Sequence, residues 1–361
     1  MIAPQRSEAA GSGPSPRLGQ ATERTERLAH QLGRALGTAA LVCLTLAAGL
    51  VVAFYPVGSR AGEGTAVVTI EPGATAAEIA DTLVAARVIR HRAAFILASR
   101  LFGLDRSLRP GDYRFSRGMD VLSVMRRIQR GDVITVRVTI PEGYTLEQIS
   151  ALLAEKGLVD REKFIKAARD DRYAFGKGFP IDKPSRSLEG YLFPDTYRIV
   201  PGRSEEEIIR QMVARFMEVA YPVLAAGRER TGRSIHDLLT MASIIEKEAV
   251  IDEERPLIAS VFYNRLARGM PLQSDPTVQY ALHGDPAPLS YADLLIDSPY
   301  NTYRYPGLPP QPISNPGLAS IRAAVDPADS PYLYFVARGD GSHIFSRTYR
   351  DHLAAIARLG R

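Results

Sequence analysis

An internal repeat constrains the fold of this chain more than any other feature of its sequence. Residues 68–75 and 138–145 each read Val-Thr-Ile, then Pro and Glu in either order, then Gly, one variable residue and Thr. The copies lie 70 residues apart (68 against 138), and apolar pairs continue the match at that shift. These pairs are Ile79 and Leu83 against Ile149 and Leu153. Each copy predicts a strand, a Gly turn, a Thr-capped helix and a second short helix.

A second strand and an amphipathic helix complete each copy. Residues 111–115 and 194–199 share an Asp, a Tyr-Arg pair and an apolar residue, and a Gly and a helical pattern follow each. Independent use of common turn residues does not account for so many matches. The sequence predicts an α+β fold in which a βααβα-like unit occurs in residues 65–135 and again within a mixed α/β catalytic domain, residues 136–361. The first unit resembles a LysM-like module, a domain type that binds cell-wall glycan.

Residues 35–55 form an uncharged stretch rich in Leu, Val and Ala. A helix of this length crosses a hydrocarbon core of roughly 30 Å, so we predict a single transmembrane helix in the plasma (inner) membrane. Five Arg residues before it place a tail, residues 1–34, in the cytoplasm and the rest outside. A cleaved signal peptide is the weaker alternative, because the stretch is long. The only cysteine, Cys43, lies in this stretch, so the exported part has no disulfide.

The composition is that of a folded protein. With 45% apolar and 24% charged residues, a 361-residue chain can bury a sizeable core. The net charge of +5 indicates a solvated surface with weak attraction to anionic polymers or lipid head groups. A basic cluster with interleaved aromatics, typical of nucleic-acid binding, is absent from the sequence, as is metal-ligand spacing such as His-x-x-x-His. We therefore expect no nucleic-acid partner, no metal and no organic cofactor.

Residues 234–249 predict a helix with a carboxylate in its apolar face. Ser234 and Asp237 form an N-terminal capping box. At about 100° per residue, Glu246 lies within the apolar stripe and Glu248 lies about 200° further round. The stripe consists of Ile235, Leu239, Ala242 and Ala249. An apolar environment raises the pKa of a carboxyl group toward the range of a general acid, so we predict that Glu246 is catalytic. The alternative is a structural Glu held by an Arg or by backbone amides.

Segments on either side of this helix contain candidate sugar ligands. Glu189 lies in residues 187–198, whose aromatics, Gly and Pro suit a sugar site and a tightly packed turn equally well. Asn264 lies on the next predicted helix, and Gln273 and Asp275 lie in the loop after it. Asn301 lies in a segment dense in Tyr and Pro, which suits a cleft wall or a structural lid. We predict that these five residues bind sugar or stabilise positive charge.

Five motifs together resemble the YceG/MltG family of endolytic murein transglycosylases. They are Leu-Glu-Gly-Tyr-Leu-Phe-Pro-Asp-Thr-Tyr (188–197), Ala-Ser-Ile-Ile-Glu-Lys-Glu (242–248), Val-Phe-Tyr-Asn-Arg-Leu (261–266), Leu-Gln-Ser-Asp-Pro-Thr-Val (272–278) and Ser-Pro-Tyr-Asn-Thr-Tyr (298–303). The likeness covers nearly everything after residue 34. It implies that the first Glu of the second motif, Glu246, is catalytic.

The resemblance implies cleavage of the β-1,4 bond between N-acetylmuramic acid and N-acetylglucosamine inside a glycan strand, without water. Glu246 would protonate the glycosidic oxygen and then take the proton of the muramyl C6 hydroxyl, which closes a 1,6-anhydro ring. Ordinary glycosidases need two carboxyl groups, whereas this reaction can use one. The implied partners are peptidoglycan strands and peptidoglycan synthases of the same membrane, and the implied role is to end glycan elongation.

Three other functions fit the sequence less well. A non-catalytic scaffold that binds peptidoglycan has no use for a buried carboxylate at Glu246. A pyridoxal-phosphate lyase needs a Schiff-base lysine near a phosphate-binding loop, but Lys247 lies about 100° from the apolar stripe and no such Gly-rich loop occurs. A serine hydrolase of the Gly-x-Ser-x-Gly type is not indicated, because that motif does not occur.

Overall fold

The computed structural model describes residues 32–34, 36–44, 64–104, 107–172, 181–282 and 288–360. Residues 32–34 and 36–44 are helical. Within the described ranges, no helix is both long enough and apolar enough to cross a membrane. Residues 35 and 45–55 of the predicted transmembrane stretch lie outside the described part, as do residues 1–31 of the predicted cytoplasmic tail.

The chain divides into two compact units between Ile134 and Thr135. The first unit contains β1 (Thr65–Ile70), α1 (Ala76–Ala85), α2 (Arg92–Leu101), β2 (Gly111–Ser116) and α3 (Val121–Arg130). The second unit begins with β3 (Val136–Thr139), α4 (Leu146–Glu155), α5 (Arg161–Ala168), β4 (Thr196–Ile199) and α6 (Glu205–Val219). The same order of elements therefore occurs twice, as the repeat predicts.

The two strand pairs agree in direction and register. β1 pairs with β2 and β3 pairs with β4, and both pairs are antiparallel. Val68 lies opposite Tyr113, and Val138 lies opposite Tyr197. Each of these Tyr hydroxyls donates a hydrogen bond to the carbonyl four residues earlier in the chain. The match at 70 residues thus reflects a shared packing arrangement.

The predicted Gly turns and Thr caps are also present in both copies. Gly73 and Gly143 adopt left-handed φ angles of 82° and 74°, which a glycine tolerates without steric cost. Thr75 and Thr145 each form a complete capping box at the start of the helix that follows. The local sequence therefore specifies how the chain turns from strand to helix in each unit.

Helices dominate the rest of the second unit. They are α7 (Tyr221–Thr231), α8 (Ile235–Glu248), α9 (Arg255–Ala267), α10 (Asp275–Ala281), α11 (Leu318–Val325) and α12 (Tyr349–Arg358), with short 3₁₀ turns at Asp252–Glu254 and Asp293–Leu295. An antiparallel pair, β5 (Tyr334–Ala337) and β6 (His343–Ser346), precedes α12. The Ser234 hydroxyl caps α8 by accepting a hydrogen bond from the Asp237 amide at 3.0 Å.

The helix α8 is buried around its whole circumference rather than along one stripe. It packs against α7, α9, α10 and α11. Its buried residues are Ile235, His236, Leu238, Leu239, Thr240, Met241, Ala242, Ser243, Ile244 and Ile245. Because every side of this helix faces protein, helical phase does not distinguish a buried Glu246 from an exposed Glu248. The environment of each glutamate depends on the elements that pack around the end of α8.

Candidate active site

Glu246 is held by a cation and a backbone amide. Its Oε2 accepts a hydrogen bond from the Gly317 amide at 3.0 Å and lies 3.5 Å from Nη1 of Arg255. The side chains of Glu246 and Arg255 are only 6% and 8% exposed. Arg255 also donates to the Ser320 hydroxyl. These contacts fit the structural alternative for Glu246, in which an Arg and an amide satisfy the carboxylate.

A second carboxyl group, Glu142, lies beside Glu246. Burial and the charge of Glu246 raise the pKa of Glu142. Glu142 also packs against Gly317, where an added Cβ atom would lie 2.0 Å from the Glu142 carboxyl group. A glycine at position 317 therefore allows the loop before α11 to contact both carboxyl groups.

Glu248 faces a separate polar cavity of about 280 Å³. The cavity is lined by Glu248, Val261, Phe262, Arg265, Leu272, Gln273, Asp275, Tyr303, Leu333, Tyr334, Phe335 and His352. Burial raises the pKa of Glu248 to about 7, and the charge of Asp275 adds to this effect. A hydrogen bond from the Ser274 hydroxyl opposes it. A carboxyl group with this pKa is about half protonated at neutral pH, so a protonated fraction is present to act as a general acid.

The structure places two predicted sugar ligands, Gln273 and Asp275, in the Glu248 cavity. Gln273 has a left-handed φ of 52°, which is uncommon for a residue with a side chain. Its amide donates to the Thr302 carbonyl at 3.1 Å, and its Oε1 accepts from Arg265 at 3.3 Å. Asp275 accepts a hydrogen bond from the Tyr303 hydroxyl. Backbone strain of this kind is commonly found at functional sites.

Arg265 and His352 form the opposite side of this cavity. Arg265 donates to the Leu272 and Leu333 carbonyls and lies 5.1 Å from the ring centre of Tyr334. His352 stacks on Tyr334 at 5.3 Å, and its buried Nδ1 has no hydrogen-bond partner in the described part of the chain. Burial and the charge of Arg265 lower the pKa of His352, which favours the neutral form of its ring. A bound hydroxyl or amide group would satisfy this nitrogen.

Glu189 lines a different and larger cavity, of about 530 Å³, together with Tyr280 and Tyr300. Its carboxyl group accepts hydrogen bonds from the Leu146 amide, the Asn315 side chain and the Tyr280 hydroxyl, at 3.0 to 3.2 Å. Burial raises the pKa of Glu189 to about 8, against the effect of the Leu146 and Tyr280 hydrogen bonds. These contacts tie the start of α4 to the loop before α11, so they favour the packed-turn explanation.

Asn264 and Asn301 use their side-chain amides to hold the backbone. Asn264 donates to the carbonyls of Ser330 and Tyr332, at 2.7 and 2.9 Å. Asn301 is fully buried and donates to the carbonyls of Leu294 and Ile296, both at 2.9 Å. Neither residue is among those that line the two cavities in the described part. Their sugar-binding roles stay predictions without a supporting contact.

Sequence reasoning did not select Glu248, Arg265, Tyr303 and His352, four of the residues that line the Glu248 cavity. Glu248, Arg265 and Tyr303 lie inside motifs that the sequence analysis identified, so motif membership was a usable signal for them. The position of Glu248 became clear only from its contact with Ser274, which is 26 residues away in the chain. His352 lies on α12, outside the five motifs, and nothing local in the sequence indicated its location.

Comparisons with known proteins agree with the resemblance in the motifs. A profile of the YceG-like family matches residues 68–358. An endolytic murein transglycosylase of Bacillus subtilis is 36% identical over 297 residues, which cover 79% of this chain and 82% of that protein. An endolytic murein transglycosylase of Streptococcus pneumoniae is 33% identical over 318 residues, which cover 80% of this chain and 57% of that protein.

A solved structure supports the same conclusion. The crystal structure of a yceG-like protein from Listeria monocytogenes matches with a TM-score of 0.54 and 36% sequence identity, over 80% of this chain and 98% of that one. The family profile, the curated relatives and this structure all match across most of the sequence. The chain therefore belongs to the YceG-like family.

Proposed function

We propose that this chain is a lytic transglycosylase that cuts peptidoglycan strands internally, at the β-1,4 bond between N-acetylmuramic acid and N-acetylglucosamine, and leaves 1,6-anhydro ends. Family membership and the names of the curated relatives support the reaction class. The observation that carries the proposal is the Glu248 cavity, where a carboxyl group with a pKa of about 7 faces a polar space. Such a group can give up and regain a proton near neutral pH.

The contacts favour Glu248 over Glu246 as the proton donor. The carboxyl group of Glu246 is occupied by contacts with Arg255 and the Gly317 amide, which fit a structural role. Glu248 has no cation within ion-pair distance in the described residues, and it accepts one hydrogen bond, from Ser274. We therefore assign the acid role to Glu248. The catalytic role predicted for Glu246 from the sequence stays a prediction. Glycan digestion by Glu246→Gln and Glu248→Gln distinguishes the two assignments.

The proposed reaction uses one carboxyl group twice. Glu248 gives its proton to the glycosidic oxygen as the bond from that oxygen to C1 of the muramyl residue breaks, and positive charge develops at C1. The resulting carboxylate then takes the proton of the muramyl C6 hydroxyl. The O6 atom bonds to C1, which closes the anhydro ring and restores the protonated Glu248 without consuming water.

Other groups in the cavity fit supporting roles in this reaction. Asp275 carries a negative charge close enough to raise the pKa of Glu248, and the same charge would stabilise the oxocarbenium-like centre. Gln273 and the unpartnered Nδ1 of His352 suit the hydroxyl and acetamido groups of a sugar. The cavity thus combines an acid, a negative charge and polar groups that can bind a sugar ring.

The cellular setting belongs to the same proposal. We propose that residues 35–55 anchor the protein in the plasma membrane, with the described units outside the cytoplasm. We also propose that the first unit is a LysM-like module and that the cut ends glycan elongation beside peptidoglycan synthases. The uncharged composition of residues 35–55 supports the anchor, and the βααβα order of the first unit is compatible with the module.

The products of digestion test the proposed activity. Purified, uncrosslinked glycan strands are incubated with the full chain in detergent, and the products are analysed by mass spectrometry. We expect shorter strands with internal cuts and ends that are lighter than hydrolytic ends by one water. Reducing ends would show a hydrolase, and bound but uncut strands would support the peptidoglycan-binding scaffold instead.

A further inference from the structure

Large apolar side chains are exposed at the C-terminal end of α2. Leu97, Leu101 and Phe102 are 43%, 66% and 59% exposed. Leu97 and Leu101 are four residues apart, so they lie on the same side of the helix. The opposite side of α2, with Phe95 and Ala98, is fully buried in the core of the first unit. This apolar side of α2 has no covering element within the described residues.

A basic depression of about 650 Å³ lies at the same end of the first unit. It is lined by Ser107, Leu108, Arg109, Pro110, Gln129 and Arg130. The Ser107 hydroxyl donates to the Leu104 carbonyl at 3.0 Å, and the Leu104 amide donates to the carbonyl of Ser99 in α2 at 2.8 Å. The Gln129 amide donates to the Ser107 hydroxyl at 3.2 Å, which joins the loop after α2 to the end of α3. The apolar side chains and the depression therefore belong to one surface, which we call the basic–apolar end.

Three arginines lie at this surface. Arg100, Arg109 and Arg130 are exposed, and they form no ion pair with any residue that the structure describes. Residues 64–134 contain eleven Arg against seven Asp and Glu, a net charge of +4 out of the +5 of the whole chain. The excess positive charge of the protein is thus concentrated in the first unit.

We propose that the basic–apolar end docks on the anionic lipid surface of a membrane. Exposed Leu and Phe side chains beside Arg are typical of segments that insert their apolar groups at the boundary between lipid head groups and acyl chains, while the cations contact anionic head groups. A glycan strand rich in hydroxyl groups would leave Leu97 and Leu101 without apolar contacts. The combination of exposed Leu, Phe and Arg therefore favours lipid over glycan.

The position of this unit in the chain is consistent with docking. Residues 56–64 connect it to the predicted transmembrane stretch, and nine residues reach at most about 30 Å. The docking proposal rests on the proposed membrane anchor only for this distance between the first unit and the membrane. Docking would keep the first unit at the lipid surface.

The absence of Trp from the sequence allows a direct test in the full chain. Phe102→Trp introduces a single reporter on the basic–apolar end, and Tyr291→Trp provides a matched control at a site in the second unit that is 79% exposed. Both variants are reconstituted in vesicles of phosphatidylcholine alone or with phosphatidylglycerol, with and without brominated acyl chains. We expect a blue-shifted emission for the Trp at 102 and at least twofold stronger quenching by bromine than for the Trp at 291.

Charge variants complete the test. In the Phe102→Trp background, Arg100→Glu with Arg130→Glu should reduce the quenching at least twofold in vesicles that contain phosphatidylglycerol. If the protein floats with the vesicles but the Trp at 102 is no more quenched than the Trp at 291, docking is wrong and the anchor stands. If the protein does not float, both the anchor and docking are wrong. Loss of the quenching when soluble glycan strands are added would identify glycan as the occupant and overturn the lipid assignment.

Discussion

The hydroxyl of Ser274 donates a hydrogen bond of 2.5 Å to Oε1 of Glu248. This contact connects the last turn of α8 to the residue that precedes α10. The Thr302 hydroxyl accepts a hydrogen bond from the Ser274 amide at 3.0 Å. A third segment of the chain therefore holds Ser274 in position. Burial and Asp275 raise the pKa of Glu248, whereas Ser274 lowers it. Substitutions of Ser274 and Asp275 should therefore shift the pH dependence in opposite directions.

Ser274→Ala should move the loss of activity at high pH to higher pH, by about one unit. The proposed acid must be protonated, and this variant removes the hydrogen bond that stabilises its ionised form. A hydrogen bond to a charged group contributes roughly 1.5 kcal/mol, and 1.36 kcal/mol corresponds to one pKa unit. The pH profile of the initial rate of glycan cleavage measures the effect. Ser330→Ala removes a hydroxyl that bonds Ser260 rather than a carboxyl group, and it should leave the profile in place.

Asp275→Asn should move the loss of activity at high pH to lower pH. The negative charge of Asp275 raises the pKa of Glu248, so a neutral amide lets Glu248 ionise earlier as the pH rises. Tyr303→Phe removes the hydroxyl that donates to Asp275 but keeps the negative charge, and it provides the matched comparison. If activity is instead lost at a higher pH in Asp275→Asn than in the wild type, Asp275 does not act on the acid through its charge.

Glu189→Ala should lower the free energy of unfolding at pH 7 by about 3 kcal/mol. It leaves three buried donors, from Leu146, Asn315 and Tyr280, without their acceptor. Denaturant titration of the full chain measures the loss. Glu147 lines the same cavity, and its side chain forms an exposed ion pair with Arg169. Glu147→Ala should therefore lower the free energy of unfolding by less than about 1 kcal/mol. Weaker substrate binding with unchanged stability would instead support the predicted sugar-binding role of Glu189.

The stability of the protein should also depend on the pH through Glu189. Its folded-state pKa of about 8 lies above the ordinary value of 4.5, so the folded state binds more protons than the unfolded state between these values. This contribution is fully present at low pH and is lost as the pH rises through that window. The fall in unfolding free energy from pH 5 to pH 8 should therefore be smaller in Glu189→Ala than in the wild type. An equal fall in both proteins would contradict the raised pKa.

Local signals in the sequence were sufficient to predict the repeated unit. Thr75 and Thr145, the Gly turns before them and the apolar positions of the helices each act within a few residues, and the structure contains every one of these features. The helix that starts at Ser234 was also predictable from its cap. Such features depend on short-range geometry, which a sequence displays directly.

The cavity was not predictable in the same way, because it joins segments that are distant in the chain. Glu248, Ser274, Tyr303 and His352 come from four elements, and no periodicity relates them. Helical phase selected Glu246 on the assumption that α8 has one buried side, but α8 is buried all round. The polar residues Asn264 and Asn301 suited sugar binding, yet their amides bond to backbone carbonyls. Only three-dimensional contacts separate ligands from such structural amides.

Digestion of glycan strands by Glu248→Gln and Glu246→Gln, compared with the wild type, tests the central claim most directly. Both substitutions keep the side-chain shape and remove the ionisable group, and circular dichroism checks that each variant is folded. We expect Glu248→Gln to lose 1,6-anhydro products by a factor of about 10² to 10⁴, the usual contribution of a general acid. Glu246→Gln should retain activity within about tenfold of the wild type, because Glu246 interacts with Arg255, Gly317 and Glu142 and does not line the Glu248 cavity. A folded Glu248→Gln with wild-type activity, together with an inactive Glu246→Gln, would contradict the assignment of Glu248 and support Glu246 as the acid.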